Sequence, residues 1–263
     1  MPSPSPLTTP VAISRTLLDM NGDVVGGNGD DQLALIQGRG NIIGGNGNDT
    51  MVMLNAEGTM SGGYGNDTMR LTYGRAYIDA GIGNDLVLLN HGEGTVIGGA
   101  GNDTMVFDFS RGRAVGGDGN DRITYRNSDG IMDGGAGCDI LTMTDSSGTM
   151  RGGAGADTLI LGTGMQGVAY GSASEGGDRV LNLNIDYDWI ELTGKAFGGM
   201  TAGQMSADRF SLNTAKGTKG QIVFDTATFK LYWDADGTGK GAALLLATLT
   251  GVTHLTHDTF LIV

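Results

Sequence analysis

The sequence predicts an all-β solenoid of about eight 18-residue coils, built from two thin parallel sheets and closed by a β-rich C-terminal cap. Three observations carry this reading. A turn-forming octapeptide recurs eight times without a gap, apolar residues hold the same places in every period, and the repeat fades where both tryptophans begin. A fixed period of this kind marks repeat architectures, in which each unit buries its apolar face only against its neighbours.

The octapeptides are GGNGDDQL from Gly26, GGNGNDTM from Gly44, GGYGNDTM from Gly62, AGIGNDLV from Ala80, GGAGNDTM from Gly98, GGDGNDRI from Gly116, GGAGCDIL from Gly134 and GGAGADTL from Gly152. Every step is 18 residues, and the sixth position is always aspartate: Asp31, Asp49, Asp67, Asp85, Asp103, Asp121, Asp139 and Asp157. Position 8 is apolar throughout (Leu33, Met51, Met69, Val87, Met105, Ile123, Leu141, Leu159), and so is position 10 (Leu35, Met53, Leu71, Leu89, Phe107, Tyr125, Met143, Leu161). Position 17 is apolar from Ile42 to Met150, and position 15 is Gly or Ala from Gly40 to Gly148. Side chains two apart on a strand share a face, so each period reads as turn, strand, turn, strand.

Composition agrees. Of the acidic residues 25 are Asp and only four are Glu, which places the negative charge in turns rather than helices. A net charge of -13 argues against nucleic acid and against anionic membranes, and suits cations. The single cysteine, Cys138, leaves no intramolecular disulfide framework. No apolar run is long enough for a transmembrane helix, and no conventional signal peptide is visible.

These repeats resemble the GGxGxDxUx nonapeptide, with U a large apolar residue, of the repeats-in-toxin (RTX) family, whose fold is a calcium-binding parallel β-roll. The resemblance implies a ladder in which turn carbonyls and Asp carboxylates of successive coils share each Ca²⁺. Its members here are Gly27, Gly29 and Asp31; Gly45, Gly47 and Asp49; Gly63, Gly65 and Asp67; and Gly81, Gly83 and Asp85. They continue with Gly99, Gly101 and Asp103; Gly117, Gly119 and Asp121; Gly135, Gly137 and Asp139; and Gly153, Gly155 and Asp157. In the commonest family pattern nonapeptides follow one another directly and both edges carry calcium. Here the alternate turn lacks Asp, so the expectation is one edge with up to seven inter-loop sites and an opposite edge without metal.

The roll is expected over 17–176, after a leader at 1–16 and before a cap at 177–263. In the cap, QIVFDTATFKLYWDADGTGKGAALLLATLTG reads as three strands joined by a turn at 225–228 and a loop at 234–241. This stretch and the terminal DTFLIV resemble the C-terminal part of RTX proteins, which implies a cap that includes an uncleaved signal for the type I secretion apparatus. Asp178, Asp234 and Asp236 are further candidate calcium ligands, although Asp and Gly also suit an ordinary hairpin loop. Tyr187, Trp189, Phe229, Tyr232 and Trp233 are expected to form the cap's core rather than a sugar platform.

Parallel strands stand about 4.8 Å apart. Neighbouring ionised Asp turns then repel by about 0.9 kcal/mol at a water-like dielectric and about 3.5 kcal/mol at an effective value near 20. Calcium, with six to eight hard oxygen ligands, removes that repulsion. The expectation is a chain unfolded in calcium-poor cytosol and folded outside the cell, secreted or bound at a cell surface.

Catalysis finds little support. HExxH and GxSxG motifs are absent, and the histidines are His91, His254 and His257; HLTH at 254–257 reads as strand, where residues three apart face opposite sides. Asn48, Asn66, Asn84, Asn102 and Asn120 form one outward file, but its companion at position 3 is too irregular for an ice-binding array. The reading is a secreted, non-enzymatic calcium-binding protein with a structural, adhesive or surface-interaction role. The rivals are a polysaccharide-binding module resembling those of alginate epimerases and a pore-forming toxin, the latter disfavoured by the lack of an amphipathic helix.

Overall fold

In the computed structural model, which describes residues 11–19 and 21–263, the chain winds into a parallel β-solenoid of about ten stacked turns. Residues 1–10 of the expected leader lie outside the described residues. The first sheet stacks Ser14–Leu18 on residues 32–36, then 50–54, Thr68–Thr72, Leu86–Asn90, Thr104–Asp108, Arg122–Arg126, Ile140–Thr144 and Thr158–Ile160. The second stacks Val24–Asn28 and its successors through Arg75–Ile82, Glu93–Ala100, Arg111–Asp118, Asp129–Ala136, Ser147–Ala154 and Gln166–Tyr170. Every pairing in both stacks is parallel and, within the repeats, offset by 18 residues, as in Leu33↔Met51 and Ile42↔Met60.

The three apolar files form the core. Side chains at positions 8, 10 and 17 are buried along the whole repeat, from Leu33, Leu35 and Ile42 to Leu159, Leu161 and Met150. Within it Phe107 stacks on Tyr125 with ring centroids 4.4 Å apart, and the Tyr125 hydroxyl donates to the Gly112 and Ile131 carbonyls at 3.1 and 3.2 Å. The small residues at position 15 are explained by the return edge. A β-carbon on Gly58, where φ is +155°, would overlap the Gly40 carbonyl of the coil below.

Both ends of the roll differ from expectation. The first strand begins at Ser14, before the expected start at 17. Beyond residue 176 the stacking continues: Thr158–Ile160 pairs with Asp178–Leu181, which pairs with Leu244–Thr250, all parallel. Gln166–Tyr170 likewise pairs with Trp189–Leu192, which pairs with Phe260–Ile262. The cap is therefore continuous with the solenoid, and its last coils carry long excursions that hide the 18-residue period.

The three expected cap strands are Gln221–Asp225, Lys230–Asp234 and Leu244–Thr250, joined antiparallel. Trp233 is buried and meets Phe197 edge to face at 5.3 Å, while Phe229 packs partly against the core and Tyr187 is exposed. The aromatic group is thus only partly a core. His254 and His257 do not lie on a strand: His254 is in an irregular exposed segment, and His257 opens a 3-10 turn beside Asp258. Phe107→Ala removes a fully buried ring with no alternative filler, and should lower unfolding free energy in calcium-containing urea titrations by about 3–5 kcal/mol.

Candidate metal centre

Each GGxGxD turn passes from a second-sheet strand to the next first-sheet strand, and the glycines have separate duties. In the turn from Gly44, Gly45 and Gly47 have φ of +120° and +127°, a region that L side chains avoid. Gly44 instead makes room: a β-carbon there would overlap the carboxylate of Asp49 and the Gly62 carbonyl. The same close approach recurs at Gly62, Gly98, Gly116 and Gly134, while the fourth turn accommodates the buried Ala80 at this place.

The aspartates fold back under these turns and are buried, each 1–2% exposed from Asp31 to Asp157. They form a hydrogen-bonded ladder. The Asp31 N–H donates to Asp49 Oδ1 at 2.8 Å, the Asp49 N–H to Asp67 Oδ1 at 2.7 Å, and so on upward to Asp139, whose N–H donates to Asp157 Oδ1 at 2.8 Å. Asp157 continues the ladder by donating to Asp178 Oδ1 at 3.0 Å, so Asp178 is a ninth rung. The regular frame puts Glu175 at this rung, but Glu175 instead pairs with Arg151.

One oxygen of each repeat rung remains unsatisfied. Oδ2 of all eight repeat aspartates is buried and accepts no hydrogen bond, whereas the Asp178 carboxyl has the buried Tyr170 hydroxyl beside it. A β-carbon built on Gly26 would meet both Asp31 Oδ2 and the Gly44 carbonyl, so two oxygens border that space. Burial is the main cause that pushes these carboxyls upward, partly opposed by the backbone N–H that each receives. Asp67 and Asp139 rise to about 7, and Asp103 and Asp121 to about 6. Asp178 reaches about 7, and Asp49, Asp85 and Asp157 are raised as well.

The opposite edge shows the neutral alternative. At position 13 Ser110, Ser128 and Ser146 are buried in column; the Ser110 N–H donates to Ser128 Oγ and the Ser128 N–H to Ser146 Oγ, both at 3.0 Å. Each hydroxyl also donates to a carbonyl two residues back, as Ser128 does to Arg126 at 2.7 Å. A hydroxyl both accepts and donates, so this column is complete. An ionised carboxylate only accepts, and its column needs protons or cations.

The donor set fits a hard, oxygen-seeking cation. Among the described residues no group of three or more His, Cys, Asp or Glu side chains converges, so a cation at a rung would take most of its ligands from turn carbonyls. Asp234 and Asp236 are placed differently: Asp234 Oδ1 accepts the Asp236 N–H at 3.2 Å and Asp236 Oδ2 accepts the Gly241 N–H at 3.0 Å, which is local turn bonding. The outward Asn file also has internal partners, since Asn66 Oδ1 accepts the Asn84 N–H at 2.6 Å. Cys138 is exposed, and its N–H closes that file on Asn120 Oδ1 at 2.7 Å.

The chain is thus a parallel β-solenoid with a buried column of acidic rungs along one edge. No protein-family model and no curated protein matches the chain. Among solved structures it is similar to the solution structure of the AlgE6R3 subunit from the Azotobacter vinelandii mannuronan C5-epimerase, at 21% identity over 61% of this chain and 78% of that one, with a TM-score of 0.33. The fold assignment rests on the strand pairing above.

A raised folded-state pKa means that these aspartates take up protons when the metal-free chain folds. Stability without metal should therefore rise as pH falls from about 7 towards the unfolded value near 4, and level off below it. By differential scanning calorimetry, metal-free protein should show a cooperative transition at pH 5 that at pH 8 is lower by about 5 °C or more, or absent. In excess calcium the slope should reverse, because protons displace the cation.

Proposed function

We propose that the chain is a calcium-dependent β-roll in which Asp31 through Asp157, with Asp178, and the intervening glycine-turn carbonyls hold a single row of Ca²⁺ ions. The reading is carried by eight buried carboxylate oxygens, one on each repeat aspartate, that have no partner. An uncompensated ionised carboxylate in such a place is strongly unfavourable, and calcium supplies compensation to every rung at once. The eight in-register nonapeptides support calcium over other hard cations through their resemblance to RTX repeats.

Folding and calcium binding are then one event. An ion that binds only the folded roll stabilises it by mass action, and at the near-millimolar affinity typical of extracellular modules the switch lies between cytosolic and external calcium. The chain would cross a type I secretion apparatus unfolded and become a non-enzymatic, extracellular or surface-associated module. In support, no helix among the described residues is long and apolar enough to cross a membrane, and the solenoid presents two long faces for contact with other molecules.

Asp103→Asn separates charge from shape. Asparagine keeps the Oδ1 acceptor for Asp85 and replaces the unpartnered oxygen by an N–H donor facing the Gly116 carbonyl. In chelator the variant should be more stable than the parent by about 1–3 kcal/mol, and in saturating calcium less stable. Circular dichroism during calcium titration should also give a weaker response for the variant. Equal melting temperatures of the parent with and without calcium would refute the proposal.

A further inference from the structure

The chain contains three Asn-Gly bonds, Asn21-Gly22, Asn28-Gly29 and Asn46-Gly47, and all lie in its first coils. From the third repeat on, the place of Asn28 and Asn46 is taken by Tyr64, Ile82, Ala100, Asp118, Ala136 and Ala154. Neither the core nor the Asp ladder explains this asymmetry, since all three asparagines are exposed.

An Asn-Gly bond carries its own chemistry. The glycine amide nitrogen, once it gives up its proton to base, can attack the asparagine Cγ. A C–N bond forms, the Cγ–Nδ2 bond breaks, and ammonia leaves. Water then opens the resulting succinimide at either carbonyl, to aspartate or to isoaspartate. Water is the only co-reactant. Glycine favours the closure because it has no side chain to hinder the ring and leaves the backbone freest.

The roll restrains this chemistry in the same way at each bond. The Gly22 N–H donates to the Arg39 carbonyl at 2.9 Å, the Gly29 N–H to the Asn46 carbonyl at 2.7 Å and the Gly47 N–H to the Tyr64 carbonyl at 2.8 Å. The electron pair left by a departing proton would therefore point at an oxygen of the next coil, not at the preceding side chain. The side chains are held as well: Asn21 Oδ1 accepts the Arg39 N–H at 2.9 Å, and Asn46 Nδ2 donates to Asn28 Oδ1 at 2.6 Å. An unfolded chain has none of these restraints.

We propose that Asn21, Asn28 and Asn46 are self-modification sites that record the time the chain spends unfolded. Their two products differ in consequence. Aspartate at 46 reproduces the sixth repeat, where Asp118 precedes Gly119. Isoaspartate instead adds one carbon to the main chain just before Gly47, in the turn that leads to the Asp49 rung. The Asp49 N–H, which donates to Asp67 Oδ1 at 2.7 Å, and Asp49 Oδ1, which accepts the Asp31 N–H at 2.8 Å, then lose their register. The first coils separate from the ladder, so a chain that has stayed unfolded too long cannot complete the roll.

The proposal rests on the folded roll, and takes from the calcium reading only the expectation that a chelator opens it. Full-length protein would be kept at pH 8 in excess calcium, in chelator and in guanidinium chloride, with far-UV circular dichroism of each arm. Peptide mass spectrometry would follow the conversion of each asparagine, and an isoaspartate-specific assay would separate the two products. Denaturant should convert all three sites, and calcium should slow each by at least about tenfold, because only the small opened fraction of a folded chain reacts. If the chelated chain stays folded and protected while the denatured chain converts, the calcium reading fails and this one stands. The Asn46→Asp variant should recover the parent's far-UV spectrum in calcium, and the fraction carrying isoaspartate at 46 should not. Conversion of a folded roll in calcium at the denatured rate, no conversion at these sites in denaturant, an isoaspartyl fraction that refolds fully, or an Asn46→Asp variant that fails to fold would each overturn the proposal.

Discussion

In-register parallel stacking makes each residue of a repeat coil a neighbour of its own counterparts in the coils above and below. A residue type that cannot tolerate a copy of itself about 4.8 Å away cannot be repeated. Apolar files satisfy the rule by packing, as the buried columns through Met51, Met69 and Val87 do. Hydroxyl files satisfy it by passing a hydrogen bond from coil to coil, as Ser110, Ser128 and Ser146 do. Charged surface files satisfy it by alternation: Arg39, Glu57, Arg75, Glu93, Arg111 and Asp129 pair in succession and avoid like neighbours. Such exposed pairs each add little stability, and their value lies in making the stack permissible.

The aspartate column alone breaks the rule. Nine acids are stacked and buried, one oxygen of each serving the neighbouring backbone and, in the eight repeat rungs, the other serving nothing. The serine column beside the same core shows that the fold did not need acids to satisfy its backbone. On the proposed reading the acid answers to a cation that arrives from outside, and the upward-shifted carboxyls agree with a column that the protein alone accommodates poorly as charge.

Most of the roll was legible because its period is constant. Seven identical offsets between eight repeats placed all of the core files and the Asp edge correctly, since each position had several copies to vote on its role. The rest lay outside that redundancy. Asp178 stands 21 residues after Asp157 rather than 18, so the ninth rung fell off the frame and only its Gly-Gly-Asp signalled it. The continuation through Leu244–Thr250 was hidden by the long excursion that precedes it. Short segments such as HLTH gave too few residues to separate strand from turn. The return edge looked plain because position 12 varies in identity; what is constant there is a left-handed backbone, which Asp, Gln and Asn hint at and Tyr73, His91 and Phe109 conceal.

The proposed dependence of the stack on cations at one edge is tested most directly by looking for them. Crystals grown with calcium and then exchanged for a lanthanide would be measured at the metal's absorption edge. The account predicts a single row of anomalous peaks along the turns from Asp31 to Asp178, spaced by about 4.8 Å, and none beside Ser110, Ser128 and Ser146. Well-ordered crystals with no peaks at the aspartate edge, or with peaks shared between both edges, would contradict it.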